Sequence, residues 1–244
     1  MTKKIILITG ANTGLGYDLA KGLIKDRKIE LIGLVNKKSP VKALLKKVKI
    51  IKLDLMNNNE ILDLNLKFKN HQIDTIIHCA GGGLGYHSSS INLKKLNDLM
   101  QLNFYSIFEI NKILINNKKK NKRLNIIHIG SLASTHSVAS IGYSASKATL
   151  INYNKNLAYK FYKNKVFTKL LIPGSFISTG GSMQRLKKNK IKIFKNIENK
   201  LISKKLLTSK NLIPIIKFLY SKDSDILSGS ILNAANLESL SIFS

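Results

Sequence analysis

Short apolar runs alternate with longer segments of helical periodicity along almost the whole chain. The runs are rich in Ile, Leu and Val and end at small or polar residues, which is typical of buried strands in a parallel sheet. They predict seven strands, at 4–10, 30–35, 49–55, 73–81, 124–131, 166–174 and around 230–233. The segments between them predict helices at 14–26, 92–117, 142–163, 180–204 and 208–221, and a short helix that begins near Pro40.

This alternation predicts an α/β fold. Parallel strands joined by right-handed crossovers form a doubly wound (Rossmann) sheet, here of about seven strands flanked by helices. No internal repeat or low-complexity linker interrupts the pattern, so residues 1–244 are predicted to form a single domain.

Composition limits the setting in which the protein works. The only cysteine is Cys79, so no internal disulfide can form, and this fits a reducing compartment. No apolar run approaches the roughly 20 residues that cross a bilayer. The opening "MTKKIILITG" continues directly into a glycine-rich turn rather than ending as a signal peptide would. We therefore expect a cytoplasmic protein without a membrane partner.

The formal net charge of +28 raises the question of a nucleic-acid partner. Only three of the 41 basic residues are arginines, and arginine is better suited than lysine to bidentate phosphate and base contacts. We therefore expect no nucleic-acid partner. The dense basic segments 116–123 and 185–200 are interpreted as solvated surface, with a functional anion site as the alternative.

The turn "TGANTGLG" (9–16) joins the first strand to the first helix. Its glycines let backbone N–H groups approach a pyrophosphate at the positive end of the helix dipole. The alternative is an ordinary tight turn. The residues of this turn predicted to bind a dinucleotide are Gly10, Asn12, Thr13, Gly14, Leu15 and Gly16.

The residue after the second strand bears on which dinucleotide binds. NAD-binding folds place an acidic residue about 20 positions beyond the glycine loop, where it binds the ribose 2′-hydroxyl. This chain has Asn36 there, followed by Lys37 and Lys38. No carboxylate would reject a 2′-phosphate, so NADP is predicted over NAD. The alternative is that these lysines belong to the general lysine excess.

The segment "GYSASK" (142–147) contains the strongest candidate for catalysis. Tyr143 and Lys147 are four residues apart and share one face of a helix. A nearby ammonium favours the phenolate and lowers the pKa of a tyrosine, which prepares it for proton transfer near neutral pH. The small residues between them leave room for a cofactor ring.

"GYSASK" resembles the Tyr-x-x-x-Lys signature of the short-chain dehydrogenases/reductases, and the glycine spacing resembles theirs as well. The resemblance extends in order along nearly the whole chain. It implies that Ser131 hydrogen-bonds a substrate carbonyl, that Asn103 supports a water-linked proton path to Lys147, and that Lys147 also holds the nicotinamide ribose. It also implies further cofactor contacts from Asp54, Leu55, Ala80, Gly81, Pro173, Gly174 and Ser178, or Thr179 in place of Ser178.

Three departures from the family pattern stand out. His78 and Cys79 replace two asparagines before Ala80, and we interpret both as strand packing. Ser131 lies twelve residues before Tyr143 instead of thirteen, which leaves Ser134 as an alternative. The C-terminal segment reads "LNAANLES" where the family has Val-Asp-Gly-Gly.

The resemblance implies an NAD(P)(H)-dependent oxidoreductase that transfers hydride between nicotinamide and a ketone or alcohol, without a catalytic metal. The resemblance points to a 3-oxoacyl thioester or a sugar-derived ketone of surface-polysaccharide biosynthesis as the substrate, and the basic residues between 185 and 190 would suit a phosphorylated or carrier-linked one. Residues 175–204 are expected to form a basic lid over it, and a homodimer or homotetramer is expected. The competing class is a non-catalytic cofactor-binding regulator or nucleic-acid-binding module on the same fold.

Overall fold

The computed structural model describes residues 3–39, 41–43, 45, 48–69, 71–86 and 91–238. Its strands are Lys4–Thr9 (β1), Ile29–Val35 (β2), Lys49–Lys52 (β3), Thr75–His78 (β4), Leu124–Ile129 (β5), Val166–Pro173 (β6), Phe176–Ile177 (β7), Leu207–Thr208 (β8) and Ile231–Ala234 (β9). The main sheet has the order β3-β2-β1-β4-β5-β6-β9, with every neighbouring pair parallel. The predicted doubly wound parallel sheet is confirmed.

The α-helices are Gly14–Leu23 (α1), Asn58–Leu62 (α2), Leu64–Phe68 (α3), Leu93–Met100 (α4), Ser106–Asn117 (α5), Ile141–Phe161 (α6), Ser182–Asn189 (α7), Ile191–Lys200 (α8) and Ser209–Leu219 (α9). The short helices α2 and α3 were not predicted, and a π-helical turn, Gln101–Tyr105, separates α4 from α5. Pro40, near the expected start of another helix, lies outside the described residues. Within the described ranges, no helix combines the length and apolar character of a membrane span.

Helices cover both faces of the sheet because successive strand residues point to opposite sides. In β1, Ile6 and Ile8 belong to a core cluster that includes residues of α1 and α9. Leu7, between them, belongs to a second cluster with residues of α2, α3 and α5. The result is a three-layer arrangement with apolar side chains on both faces of the sheet.

The strand order reverses between β1 and β4, and this fixes where a ligand can bind. From β1 the chain moves outward through β2 and β3, then returns to β4 and continues to the other edge. The two carboxyl ends at such a reversal are separated by a crevice, because their helices lie on opposite faces. The glycine-rich turn follows β1, and Ala80 and Gly81 follow β4, so both border this crevice.

Two buried histidines form a polar network within the second half of the sheet. His78 Nε2 is 2.8 Å from Asn111 Oδ1, and Asn111 Nδ2 is 3.1 Å from His128 Nε2. His128 Nδ1 is 3.3 Å from Asn154 Oδ1, and the two imidazoles stack with their centroids 5.5 Å apart. Burial lowers the pKa of His78 to about 4 and that of His128 to about 3. Both rings are therefore neutral near pH 7.

This network predicts acid-sensitive stability. The ordinary histidine pKa of 6.5 lies above both folded-state values, so the unfolded chain binds more protons below pH 6.5. Stability should fall as the pH drops from 6.5 towards about 4, by about 1.4 kcal/mol per pH unit for each imidazole at most. Urea unfolding followed by circular dichroism between pH 7 and pH 5, above most carboxylate titrations, measures this. A stability that is flat across that window would contradict it.

Candidate active site

Ser131 and Tyr143 meet at the carboxyl edge of the sheet. Ser131 follows β5, and its Oγ accepts the Ala133 N–H at 3.2 Å, which orients the side chain at the start of a short 3₁₀ turn. Tyr143 lies in the first turn of α6, and its phenol is hydrogen-bonded to the Ser131 side chain. The Ser134 hydroxyl is buried and has no hydrogen-bond partner among the described residues. Ser131, and not Ser134, is therefore the serine beside the phenol.

The electrostatics of Tyr143 differ from the sequence expectation. Burial raises the pKa of Tyr143, and the hydrogen bond from Ser131 opposes this rise only in part. Lys147 is not among the groups that shift the pKa of Tyr143, so the expectation that its ammonium lowers this pKa was wrong. The phenol stays protonated at neutral pH, which is the form that donates a proton.

Lys147 lies one helical turn after Tyr143 and is almost fully buried, with 3% of its surface exposed. Its Nζ donates a hydrogen bond to the Ile129 carbonyl oxygen at 3.0 Å. Burial lowers the pKa of Lys147 to about 8, so the ammonium form still predominates at pH 7. An ammonium has three donors, and this bond uses one, so donors remain for a ligand.

Asn103 lies within the π-helical turn between α4 and α5, a local irregularity that often occurs at functional sites. Its amide both accepts the Gly82 N–H at 2.9 Å and donates to the Gly82 carbonyl at 3.0 Å. A Cβ added at Gly81 would lie 2.8 Å from Asn103 Oδ1 and 3.1 Å from Lys147 Nζ. The backbone after β4 therefore contacts both polar side chains directly, and Gly81 makes this approach possible.

The glycine-rich turn has the geometry of a pyrophosphate cradle. Gly10 has φ +67° and a Cβ there would lie 3.0 Å from the Ala80 backbone, while a Cβ at Gly16 would lie 2.5 Å from the Gly10 carbonyl oxygen. Thr13 is the N-cap of α1 but its side chain makes no capping bond. The N–H groups of Leu15 and Gly16 in the first turn have no intrahelical acceptor. These groups fit an anionic dinucleotide.

The predicted adenosine side is lined by the ends of β2 and β3. Asn36 Oδ1 accepts the Lys38 N–H at 2.9 Å, and Lys37 Nζ lies 3.2 Å from Glu60 Oε1. The Asp54 N–H donates to the other Glu60 oxygen at 2.9 Å. Leu55, next to Asp54, accepts a hydrogen bond from Gln101 through its carbonyl oxygen at 2.9 Å.

The predicted nicotinamide side is formed by Pro173 and Gly174 after β6. Pro173 pairs with Ala234 of β9, and Glu238 then folds back over the turn. The Glu238 carboxylate accepts both the N–H of Ser175 and its hydroxyl, the latter at 2.7 Å. A Cβ at Gly174 would lie 2.7 Å from the Ala235 carbonyl oxygen and 3.0 Å from the Ala235 Cα, so this position too requires a residue without a side chain.

The segment after β7 lies directly on the glycine-rich turn. The Gly14 N–H donates to the Thr179 carbonyl at 2.7 Å, and the Thr13 hydroxyl donates to the Gly180 carbonyl at 3.3 Å. Ser178 is buried nearby, with its Oγ 3.8 Å from the position of a Cβ on Gly14. The segment predicted to contact the nicotinamide therefore also contacts the glycine-rich turn.

Asp18 ties the same segment to two helices. Its Oδ2 accepts the Thr179 N–H at 3.0 Å and the Ser209 hydroxyl at 2.6 Å. No sequence motif indicates Asp18, Glu60 or Glu238, which hold site residues from distant parts of the chain. The rarity of acidic residues, 13 against 41 basic ones, was the one feature of the sequence that could have drawn attention to them. In the described part of the chain, no three His, Cys, Asp or Glu side chains group as metal ligands.

A doubly wound sheet with a glycine-rich turn and a Ser–Tyr–Lys set at the strand reversal defines a dinucleotide-dependent oxidoreductase. The model of the short-chain dehydrogenase family matches residues 4–190, and the chain belongs to this family. It is 33% identical over 241 residues to the 3-oxoacyl-(acyl-carrier-protein) reductase FabG of Buchnera aphidicola subsp. Baizongia pistaciae, covering 95% of this chain and 96% of that protein.

Solved structures agree on the fold. A short-chain dehydrogenase family protein from Francisella tularensis superposes with a TM-score of 0.83 at 21% identity, covering 98% of this chain and 100% of that one. An actinorhodin polyketide ketoreductase variant with NADPH gives a TM-score of 0.84 at 16% identity, covering 98% of this chain and 99% of that one. The protein is an oxidoreductase of a family that binds NAD(P).

The contact at Gly81 generates a test. Gly81→Ala would push its new methyl group against Asn103 Oδ1 and Lys147 Nζ, and a shift of these groups should lower the turnover number of NAD(P)H-dependent carbonyl reduction about tenfold or more. Gly82→Ala is the matched control, because Gly82 has a φ of +152° against +157° at Gly81, and a Cβ there meets nothing within 4 Å. Equal turnover in the two variants, both folded by thermal unfolding, would contradict the argument.

Proposed function

We propose that this protein is an NADP(H)-dependent reductase of 3-oxoacyl thioesters, with the acyl group attached to an acidic carrier protein. The observation that carries the reaction type is the hydrogen bond between Ser131 and the protonated Tyr143 phenol beside the buried Lys147. The substrate class is supported by the name of the Buchnera relative, which shares 33% identity over nearly the whole chain.

When bound, the cofactor supplies a hydride to the substrate carbonyl carbon. Ser131 and Tyr143 both hydrogen-bond the carbonyl oxygen, and Tyr143 donates its proton to the alkoxide as negative charge develops. The pKa of Tyr143 is raised by burial, so the phenol carries the proton that reduction needs. Lys147 places a positive charge near that oxygen and offers donors to the nicotinamide ribose. Asn103 fixes the backbone at Gly82 beside Lys147 and supports the water-linked route that returns a proton.

The preference for NADP is supported by Asn36, which follows β2 at the position where NAD-binding folds carry an acidic residue. In this proposal Asp54 and Leu55 border the adenine, Ala80 and Gly81 the ribose, and Pro173, Gly174 and Ser178 the nicotinamide.

We propose that residues 175–204 act as the substrate lid of a single domain. The lid has a small core of its own, with Phe194 and Leu201 buried together with Leu206. Its outer surface carries lysines that would attract an acidic carrier. Arg185 instead donates to the Gly180 carbonyl within the lid.

A homodimer or homotetramer and a cytoplasmic location complete the proposal. Exposed aromatic side chains on α5 and α6, among them Phe108 and Tyr159, support association through these helices. The single cysteine fits a reducing compartment. Size-exclusion chromatography with light scattering measures the assembly, and a monomer at micromolar concentration would contradict that part.

The reaction is tested by NADPH oxidation with an acetoacetyl thioester. Tyr143→Phe removes only the phenolic oxygen, so turnover should fall about 100-fold or more while NADPH binding, measured by calorimetry, persists. Full activity in this variant would refute the mechanism. Absence of turnover in the wild type with intact NADPH binding would refute the thioester substrate and favour a sugar-derived ketone. Absence of dinucleotide binding would favour the non-catalytic class.

The pH dependence follows from Lys147. Its pKa of about 8 means that the ammonium loses its charge as the pH rises through 8, so kcat/KM for NADPH should be level between pH 6 and 7.5 and fall above about 8. The limiting slope is about tenfold per pH unit. Lys147→Arg keeps the charge, so its residual activity should lack this fall. A wild-type rate that increases from pH 7.5 to 9 would contradict the assignment.

A further inference from the structure

The lysine expected to bind a 2′-phosphate already has an ionic partner. Lys37 Nζ lies 3.2 Å from Glu60 Oε1, and the other oxygen of Glu60 accepts the Asp54 N–H at 2.9 Å. This backbone bond and Lys37 both lower the pKa of the Glu60 carboxyl, so Glu60 is charged at neutral pH. A phosphate approaching Lys37 therefore also approaches a fixed carboxylate. The net attraction from this pair is small.

Lys42 is placed differently. Its backbone N–H donates to Asn12 Oδ1 at 3.1 Å, and Asn12 belongs to the glycine-rich turn. Its Nζ lies 3.8 Å from the ring centroid of Tyr17, on the first half of α1. The backbone N–H and the side-chain ammonium of Lys42 thus both contact the β1–α1 unit, where the dinucleotide is proposed to bind. Among the described residues, no carboxylate lies within ion-pair distance of this ammonium.

The contact with Tyr17 restricts the Lys42 side chain before a phosphate binds. A cation over an aromatic face keeps its charge, and the ring restricts the side chain without using the N–H donors that point away from it. Less side-chain entropy is then lost when a phosphate binds. Lys38 has no comparable support among the described residues, because only its backbone N–H is bonded, to Asn36, and its side chain is exposed.

We infer that Lys42, held by Asn12 and Tyr17, is the principal ligand for the 2′-phosphate of NADP(H), and that Glu60 reduces the contribution of Lys37. The inference rests on the proposed NADP preference and adds the residue that determines it. The sequence alone did not point to Lys42, because it lies six positions beyond Asn36 and resembles the other lysines of a lysine-rich chain.

The test is the affinity for NADPH and for NADH, measured by calorimetry on the full chain without substrate. Lys42→Met keeps the apolar stem and removes the charge, so it should raise the Kd for NADPH about tenfold, as expected for one charge-assisted phosphate contact, and the Kd for NADH less than twofold. Lys37→Met is the matched control. Because Lys37 is already paired with Glu60, this change should alter the Kd for NADPH less than threefold. Lys42→Arg should keep most of the affinity for NADPH.

A second substitution, Glu60→Gln, tests the role of the carboxylate with the same Kd measurements. It frees Lys37 and should lower the Kd for NADPH, with little effect on NADH. An effect of Lys37→Met equal to or larger than that of Lys42→Met would overturn the inference while leaving the proposed function intact. A wild-type protein that binds NADH as tightly as NADPH would overturn both the NADP preference and the inference. An unchanged Kd for NADH in Lys42→Met, with the loss confined to NADPH, would support both.

Discussion

The rest of the site depends on how closely the ends of β1 and β4 approach each other. A Cβ at Gly16 would meet the Gly10 carbonyl at 2.5 Å, and one at Gly10 would meet the backbone of Ala80 at 3.0 Å. Gly81, the next residue, is in turn the point that Asn103 and Lys147 approach. These positions form a continuous line of backbone contacts from the N-terminus of α1 to the buried ammonium. A side chain at Gly10, Gly16 or Gly81 would push the predicted dinucleotide-binding turn away from the predicted catalytic side chains, so the constraint is steric before it is chemical.

Burial then determines the chemistry of the groups that this packing brings together. A buried ammonium and a partly buried phenol both favour their neutral forms, which lowers the pKa of Lys147 and raises that of Tyr143. The sequence suggested the opposite direction for Tyr143, because helical spacing places an ammonium one turn away but carries no information about solvation. In the structure Lys147 Nζ is directed to the Ile129 carbonyl. The protonated phenol is therefore suited to proton donation, and a cationic nicotinamide ring would shift the balance towards the phenolate.

The parts of the fold that the sequence predicted are those governed by periodicity. The seven strands of the main sheet and the long helices follow from apolar patterning, since a buried strand and an amphipathic helix each repeat a short-range rule. The two short helices before β4 carry too few turns for such a pattern, and the π-helical turn at Asn103 lies within an otherwise regular helical pattern. Glycine, tyrosine and lysine spacing indicated the candidate site. The contacts of Asp18 and Glu238 join residues 161 and 63 positions apart, and no local pattern encodes them.

The contacts of the few acidic residues say more about the local charge distribution than the number of lysines does. Asp18 accepts a hydrogen bond from the segment after β7, and Glu238 accepts two from the turn after β6. Glu60 bonds both the Asp54 N–H, just after β3, and Lys37. Asp225 accepts hydrogen bonds from Arg123 beside the buried Lys169. An exposed lysine contributes little local energy, because water and salt screen it. A carboxylate that binds two groups at once removes a neighbouring cation from the set available to a ligand. A total of +28 therefore cannot identify where the protein attracts a phosphate, because the attraction of a lysine is reduced where a carboxylate lies beside it, as Glu60 does beside Lys37.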